Sequence, residues 1–159
     1  MNQRPVRDAA LRLLSAKPHT IEQLKKKLAR KGYDTDEIDS VISELAHAGY
    51  LDDHEYAQRF AEQKRRQSFY GKRHIIRQLT EKGVPADIAK KAVEIDYSQE
   101  DEFDLADQAI KKKMARWLDN PDQEKIRRRL YGYLQRKGFS DSIIYKAMQN
   151  YIASEAEDE

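Results

Sequence analysis

The chain contains no cysteine. Disulfides, thiol nucleophiles and zinc–thiolate sites are excluded, and a reducing, cytoplasmic compartment is expected. Glycine (6) and proline (4) are scarce among 159 residues, which argues against an all-β fold with its many turns. Long hydrophobic runs are also missing. The opening MNQRPVRDAALRLL has no apolar stretch behind its basic residues, so it does not read as a signal peptide. No window approaches the length of a membrane span, and no membrane association is expected. Hydrophobic residues make up 39% of the chain and charged residues 36%. The core must therefore consist of narrow stripes rather than a thick interior.

Recognisable catalytic patterns are absent too. The four histidines, His19, His47, His54 and His74, fall in no HExxH or comparable ligand spacing. No glycine loop could cradle phosphate, and there is no GxSxG. The reading is a non-enzyme with no catalytic residue, no cofactor and no metal. One acidic cluster needs separate treatment. In GYLDDHEY, Asp52, Asp53 and Glu55 could hold a hard cation, but they lack the glycine-turned loop of alternating ligands that calcium requires. A helix start fits better: Asp52 as N-cap, Glu55 reaching back from the third helical position, and Leu51 stapled onto Tyr56.

What the chain has is helical periodicity. Apolar residues recur at three- and four-residue steps, as in Ile21, Leu24 and Leu28, in Ile38, Val41, Ile42 and Leu45, and in Ile126, Leu130 and Leu134. Four segments share the form Leu-x-x-x-Gly-apolar: LARKGY (28–33), LAHAGY (45–50), LTEKGV (79–84) and LQRKGF (134–139). A glycine just past a helix can turn left-handed, and the apolar residue after it folds back on the leucine. The expected contacts are Leu28–Tyr33, Leu45–Tyr50, Leu79–Val84 and Leu134–Phe139. Three of these stops, at Gly32, Gly83 and Gly138, carry Lys before the glycine and open a further helix just after it. Their spacing indicates tandem helical units of about fifty residues.

The expected helices are 4–16, 20–31 and 35–48, then 53–67, 72–82 and 86–95, then 99–118, 121–137 and 141–153. They make an all-α protein of three tandem three-helix repeats forming an elongated, curved array. The repeats are read as 1–51, 52–97 and 98–159, the last with a short acidic tail. Thr20 with Gln23 and Asp34 with Glu37 suit capping boxes. Asn120 before Pro121, and Ser140, suit helix starts. Gly132, inside a helical pattern, either permits a close backbone approach or is simply tolerated.

The formal net charge of +2 conceals segregation. The second helix of each repeat carries cations: Lys25, Lys26, Lys27 and Arg30, then Lys72, Arg73 and Arg77, then Arg127, Arg128 and Arg129. Lys64, Arg65 and Arg66 lead into the joint QSFYGKR, which adds Phe69 and Tyr70. Such a recurring basic stripe with aromatic residues suits a polyanion or a protein partner. The ordinary alternative is a set of solvated helix faces held by pairs such as Glu62–Arg66.

The run 49–84 resembles the signature of the RecX family of bacterial recombination regulators. It is carried by Gly49, Tyr50, Leu51, Asp52 and Asp53, by Glu55 and Tyr56, by Phe60 and Ala61, and by Gly71, Ile75, Leu79, Lys82 and Gly83. Gly32 and Gly138 extend the same pattern into the flanking repeats. The resemblance implies a fold of three tandem three-helix repeats. It also implies a regulator that binds RecA recombinase filaments and suppresses their ATPase, strand-exchange and coprotease activities, with DNA binding in some members. A stand-alone DNA-binding module is the alternative reading, a passive scaffold is a third, and a monomer is the simplest state.

Overall fold

Among the described residues, 5–116 and 123–157 of the computed structural model, the chain is helical throughout and contains no strand. The helices are α1 (Val6–Ala16), α2 (Ile21–Arg30), α3 (Thr35–His47), α4 (Asp53–Gln67), α5 (Lys72–Glu81), α6 (Ala86–Asp96), α7 (Gln99–Met114), α8 (Gln123–Arg136) and α9 (Asp141–Glu157). These agree with the expected spans to within a few residues. The expected cap at Asn120–Pro121, the helix residues expected at 4, 117 and 118, and the end of the acidic tail at 158–159 lie outside the described residues.

Two compact units result. The first comprises the residues up to Phe60 together with Gln78–Ala92, and the second comprises Ala61–Arg77 together with Val93 onward. In the first, Ala10, Leu24, Leu28, Ile38, Val41, Ile42, Leu45 and Leu51 form one buried cluster. In the second, α7, α8 and α9 enclose Ala106, Ala109, Ile110, Leu130, Leu134, Phe139, Ile144 and Ala147. The alanines on α7 and α9 let these two helices approach closely. Burial of each leucine or isoleucine contributes about 1.5–3 kcal/mol, so these stripes supply the main drive to fold.

The helix stops follow the sequence pattern. Gly32, Gly49, Gly83 and Gly138 have φ of 85°, 80°, 89° and 85°. Behind each, the next residue donates its N–H to the leucine carbonyl five positions back: Tyr33 to Leu28 (3.4 Å), Tyr50 to Leu45 (2.8 Å), Val84 to Leu79 (3.1 Å) and Phe139 to Leu134 (3.2 Å). The otherwise orphaned terminal carbonyls are thereby satisfied. One expected side-chain contact fails. Tyr50 is 61% exposed, and Leu51 is buried at that stop instead. Leu51 also donates its N–H to Leu45 (3.3 Å), so the chain turns one residue further before an apolar side chain enters the core.

The starts are capped largely as expected. Thr20 and Asp34 each complete a capping box, and a third box, Ser98 with Asp101, escaped the sequence reading because Asp stands where Glu or Gln is usual. Asp52 caps α4, accepting the N–H groups of His54 (2.8 Å) and Glu55 (3.2 Å). The Glu55 carboxylate does not act as the expected return arm of a box; it pairs with Arg59 one turn later. Gly132 is tolerated rather than needed: a methyl group there would meet only the movable end of Arg136.

The same joint is built once in each unit. In the first, the Thr20 hydroxyl donates to the Lys82 carbonyl at the end of α5 (2.6 Å), and the buried Asp53 carboxylate accepts the Ile21 N–H (3.0 Å). In the second, Gly71 N–H donates to the Lys137 carbonyl (2.9 Å) and Arg73 N–H to the Gly138 carbonyl (3.1 Å), while the buried Glu102 carboxylate accepts the Lys72 N–H (3.1 Å). In both, a helix N-terminus meets a glycine-stopped C-terminus, and an acid from a third helix locks it. The opposed ends of the two helix dipoles attract there. Side chains would prevent it: a Cβ on Gly71 would overlap the Gly138 carbonyl, and one on Gly138 would overlap the His74 backbone.

Candidate partner-binding surface

The joint of the second unit arranges cations and rings in a row. Gly71 and Lys72 start α5, so His74 and Arg77 follow on its first turns. Arg77 donates to His74 Nδ1 at 3.0 Å. Guanidinium is a donor only, so that ring nitrogen carries no proton. The His74 ring stacks on Tyr70 with centroids 4.0 Å apart and planes 6° apart. Lys137 Nζ lies 4.0 Å from the Tyr70 centroid. With His74 covering one face of Tyr70, the lysine takes the other. Lys137 is also 5.8 Å from the Tyr133 centroid, and Lys113 stands 5.0 Å from the same ring. Beside them Lys112 lies 5.2 Å from Phe69. Each such contact is worth about 0.5–1 kcal/mol where exposed. Together they hold the long lysine stems in place, so less side-chain entropy remains to be lost on binding. Burial pushes the Tyr133 hydroxyl up from its ordinary value, which keeps it a neutral hydrogen-bonding group.

The expected site residues divide between the units. Lys25, Lys26 and Arg30 belong to the first, where Lys25 pairs with Asp39 (2.7 Å), Lys26 with Glu22 (3.3 Å), and Arg30 is exposed. Lys27, read with them, instead points its ammonium at His19 Nε2 (2.8 Å). The others belong to the second unit. Tyr70, Lys72, Arg73 and Arg77 gather at the start of α5, with Arg73 and Arg77 exposed. Arg127 and Arg129 are exposed on α8, and Arg128 lies 3.7 Å from Glu124. Arg66 pairs with Glu62 (2.6 Å) as the ordinary reading expected.

Arg65 is half-buried. Its Nε is buried and has no hydrogen-bond partner among the described residues, and its charge acts on Asp96 and Tyr97. Burial raises both of those groups, with Arg65 opposing the rise. The Arg65 side chain thus has its Nε in the interior of the second unit while the residue as a whole is half-buried.

Lys112, Lys113, Tyr133, Lys137 and His74 were missed as site residues. The first two stand in the last turn of α7, where cations suit the helix dipole whatever else they do, and Lys137 read only as the residue before a glycine stop. The available signal was the recurring Lys-Gly pair. Lys82, its counterpart in the first unit, likewise places its ammonium over a ring, 5.5 Å from the Phe60 centroid.

Sequence profiles of one family cover most of the chain. The first three-helix domain of RecX matches residues 7–45, the second 52–93 and the third 100–148. The regulatory protein RecX of Mycobacterium avium (strain 104) is 32% identical over 152 residues, spanning 95% of this chain and 87% of the relative. That of Mycolicibacterium smegmatis is 30% identical over 154 residues, spanning 95% and 81%. The crystal structure of RecX from Lactobacillus salivarius superposes with a TM-score of 0.85 at 25% identity, covering 91% of this chain and 93% of that one.

Proposed function

This chain belongs to the RecX family of regulatory proteins, and on that premise we propose that it binds RecA recombinase filaments and restrains their ATPase, strand-exchange and coprotease activities. The observation that carries the reading is the row Arg77–His74–Tyr70–Lys137–Tyr133–Lys113. It offers prearranged positive charge and ring faces, a combination suited to acidic protein surface or nucleic-acid phosphate on a nucleoprotein filament. Exposed Arg73, Arg127 and Arg129 widen the charged area. The mode of action is binding without chemistry, by a monomer acting in the cytoplasm and built from repeats at 1–51, 52–97 and 98–159. Among the described residues no helix is long and apolar enough to cross a membrane.

The test is a titration of RecA on single-stranded DNA with the purified protein. Loss of ATP hydrolysis and strand exchange near one-to-one stoichiometry supports the proposal, and unaltered activity ends it. A second reading, DNA binding without RecA, is favoured by the alternation of rings and cations in the row. It requires affinity for free DNA that falls steeply with salt, because released counterions would supply the drive.

A further inference from the structure

A cleft of about 450 Å³ opens in the first unit, between α1, the turn into α2, and the start of α4. It shares no residue with the cation–aromatic row. Leu11 and Leu14 of α1 form part of its lining, both half-buried. Tyr50 and Tyr56 contribute ring surface. We infer that this cleft docks a protein segment that presents an apolar or aromatic side chain beside a lysine or arginine.

Three observations support that occupant. The first is Tyr50. The equivalent residues at two of the other stops, Val84 and Phe139, are buried, and Tyr33 packs against the core of the first unit. Tyr50 is left 61% exposed at the cleft because Leu51 takes the inward place. A large ring in water beside half-buried leucines is surface that an incoming apolar side chain would cover, and tyrosine at such a position commonly dominates binding.

The second is charge. Asp52 and Glu55 line the cleft against a single cation, Arg59, which is already paired with Glu55. His19, also in the lining, adds no charge. Its Nδ1 donates to the Lys17 carbonyl (2.8 Å), so Nε2 is the acceptor for the Lys27 ammonium (2.8 Å). The lining therefore carries an excess negative charge, which favours a basic neighbour to the apolar anchor and disfavours an acidic one.

The third is that the walls are already fixed. Asp52 is held by its two cap bonds, and His19 is held at both ring nitrogens. The volume is within the range of about 300–1,000 Å³ usual for ligand-sized sites, enough for one or two side chains.

The test uses the full chain labelled with 15N and two peptides, acetyl-Ala-Phe-Leu-Arg-Ala-amide and the same peptide with Glu in place of Arg. The expected result is a shift of the Leu11, Leu14, Tyr50 and Tyr56 resonances, with the Arg peptide about fivefold tighter. Tyr50→Ser should weaken it by a similar factor or more while the helical spectrum and melting point stay unchanged, since that side chain is mostly in solvent. Absence of shifts at these residues up to roughly 5 mM peptide, equal affinity for both peptides, or undiminished binding by folded Tyr50→Ser would each overturn the inference. No filament is involved, so the result stands apart from the test of the proposed function.

Discussion

The Glu102 carboxylate on α7 accepts the backbone N–H of Lys72 at the start of α5, at 3.1 Å. Asp53 on α4 does the same for Ile21 at the start of α2, at 3.0 Å. Both acids are buried, with 5% and 7% of their surface exposed. A buried carboxylate is retained where it satisfies a donor that has no other partner, and the first N–H groups of a helix are such donors. The two acids thus occupy corresponding places in two copies of one joint, and the order of the α5 N-terminus rests on Glu102.

Glu102→Ala should destabilise the protein by about 1–3 kcal/mol, because the Lys72 N–H is left buried without an acceptor. Glu102→Gln keeps an oxygen in place and should recover most of the loss. Urea unfolding of the two variants measures the difference. Equal losses would mean that the negative charge of Glu102, rather than the packing and the oxygen acceptor that Gln retains, is what holds the joint.

The glycines should fall into two classes. Gly49 has φ 80° and open space around it, so Gly49→Ala should cost only the left-handed strain of about 1–2 kcal/mol. Gly138→Ala adds overlap with the His74 backbone to the same strain and should cost clearly more. Gly71→Ala meets the Gly138 carbonyl and should weaken the same joint. Gly132→Ala should stabilise α8 by up to about 1 kcal/mol, since it improves helix propensity without a backbone clash. Thermal melts of the four variants give the ranking.

Stability should decline as the pH falls below about 6.5. His19 is held below its ordinary value of 6.5, first by burial and then by the charges of Lys27 and Lys17, against the opposing bond to the Lys17 carbonyl. The unfolded chain then binds the proton more readily than the folded one, so the contribution is whole above 6.5 and is lost as the pH drops through the folded value. Asp53 has the opposite sign. Burial raises it despite the Ile21 N–H, so its protonation in the acidic range favours the folded state. Denaturant midpoints between about pH 7 and pH 5 should fall for the wild type and flatten for His19→Gln.

Much of this fold was legible in the residues. Glycine stops and capping boxes are local devices, with spacings of three to five residues that survive in a linear reading, and they placed Gly32, Gly83, Gly138, Thr20 and Asp34 correctly. Tyr50 misled because its stop is followed by two apolar residues, Tyr50 and Leu51, and local spacing does not choose between them. The joints were invisible for a different reason. Nothing near Asp53 or Glu102 in the sequence marks the distant N–H that each accepts. The candidate surface was legible as charge but not as geometry: Tyr70 was singled out, whereas Lys137 and Tyr133 join it only through the fold.

The row should behave as a unit in partner binding. Tyr70→Ala removes the ring between His74 and Lys137, and Lys137→Ala removes the cation that spans two rings. Each should weaken filament binding by several-fold, about 0.5–2 kcal/mol per desolvated cation–ring contact. Alanine at both Arg73 and Arg77 should lessen the salt dependence of binding, as expected when phosphate or carboxylate contacts are lost. Sedimentation of the variants with filaments at two salt concentrations separates the effects.

The most direct measurement is the ATPase rate of RecA assembled on single-stranded DNA as this protein is added. The account predicts a progressive fall that saturates near stoichiometric amounts, and a weaker fall for a variant with alanine at Tyr70, Arg73, Arg77 and Lys137. A rate unchanged at stoichiometric excess, from protein whose helical spectrum and cooperative melt confirm that it is folded, would contradict it.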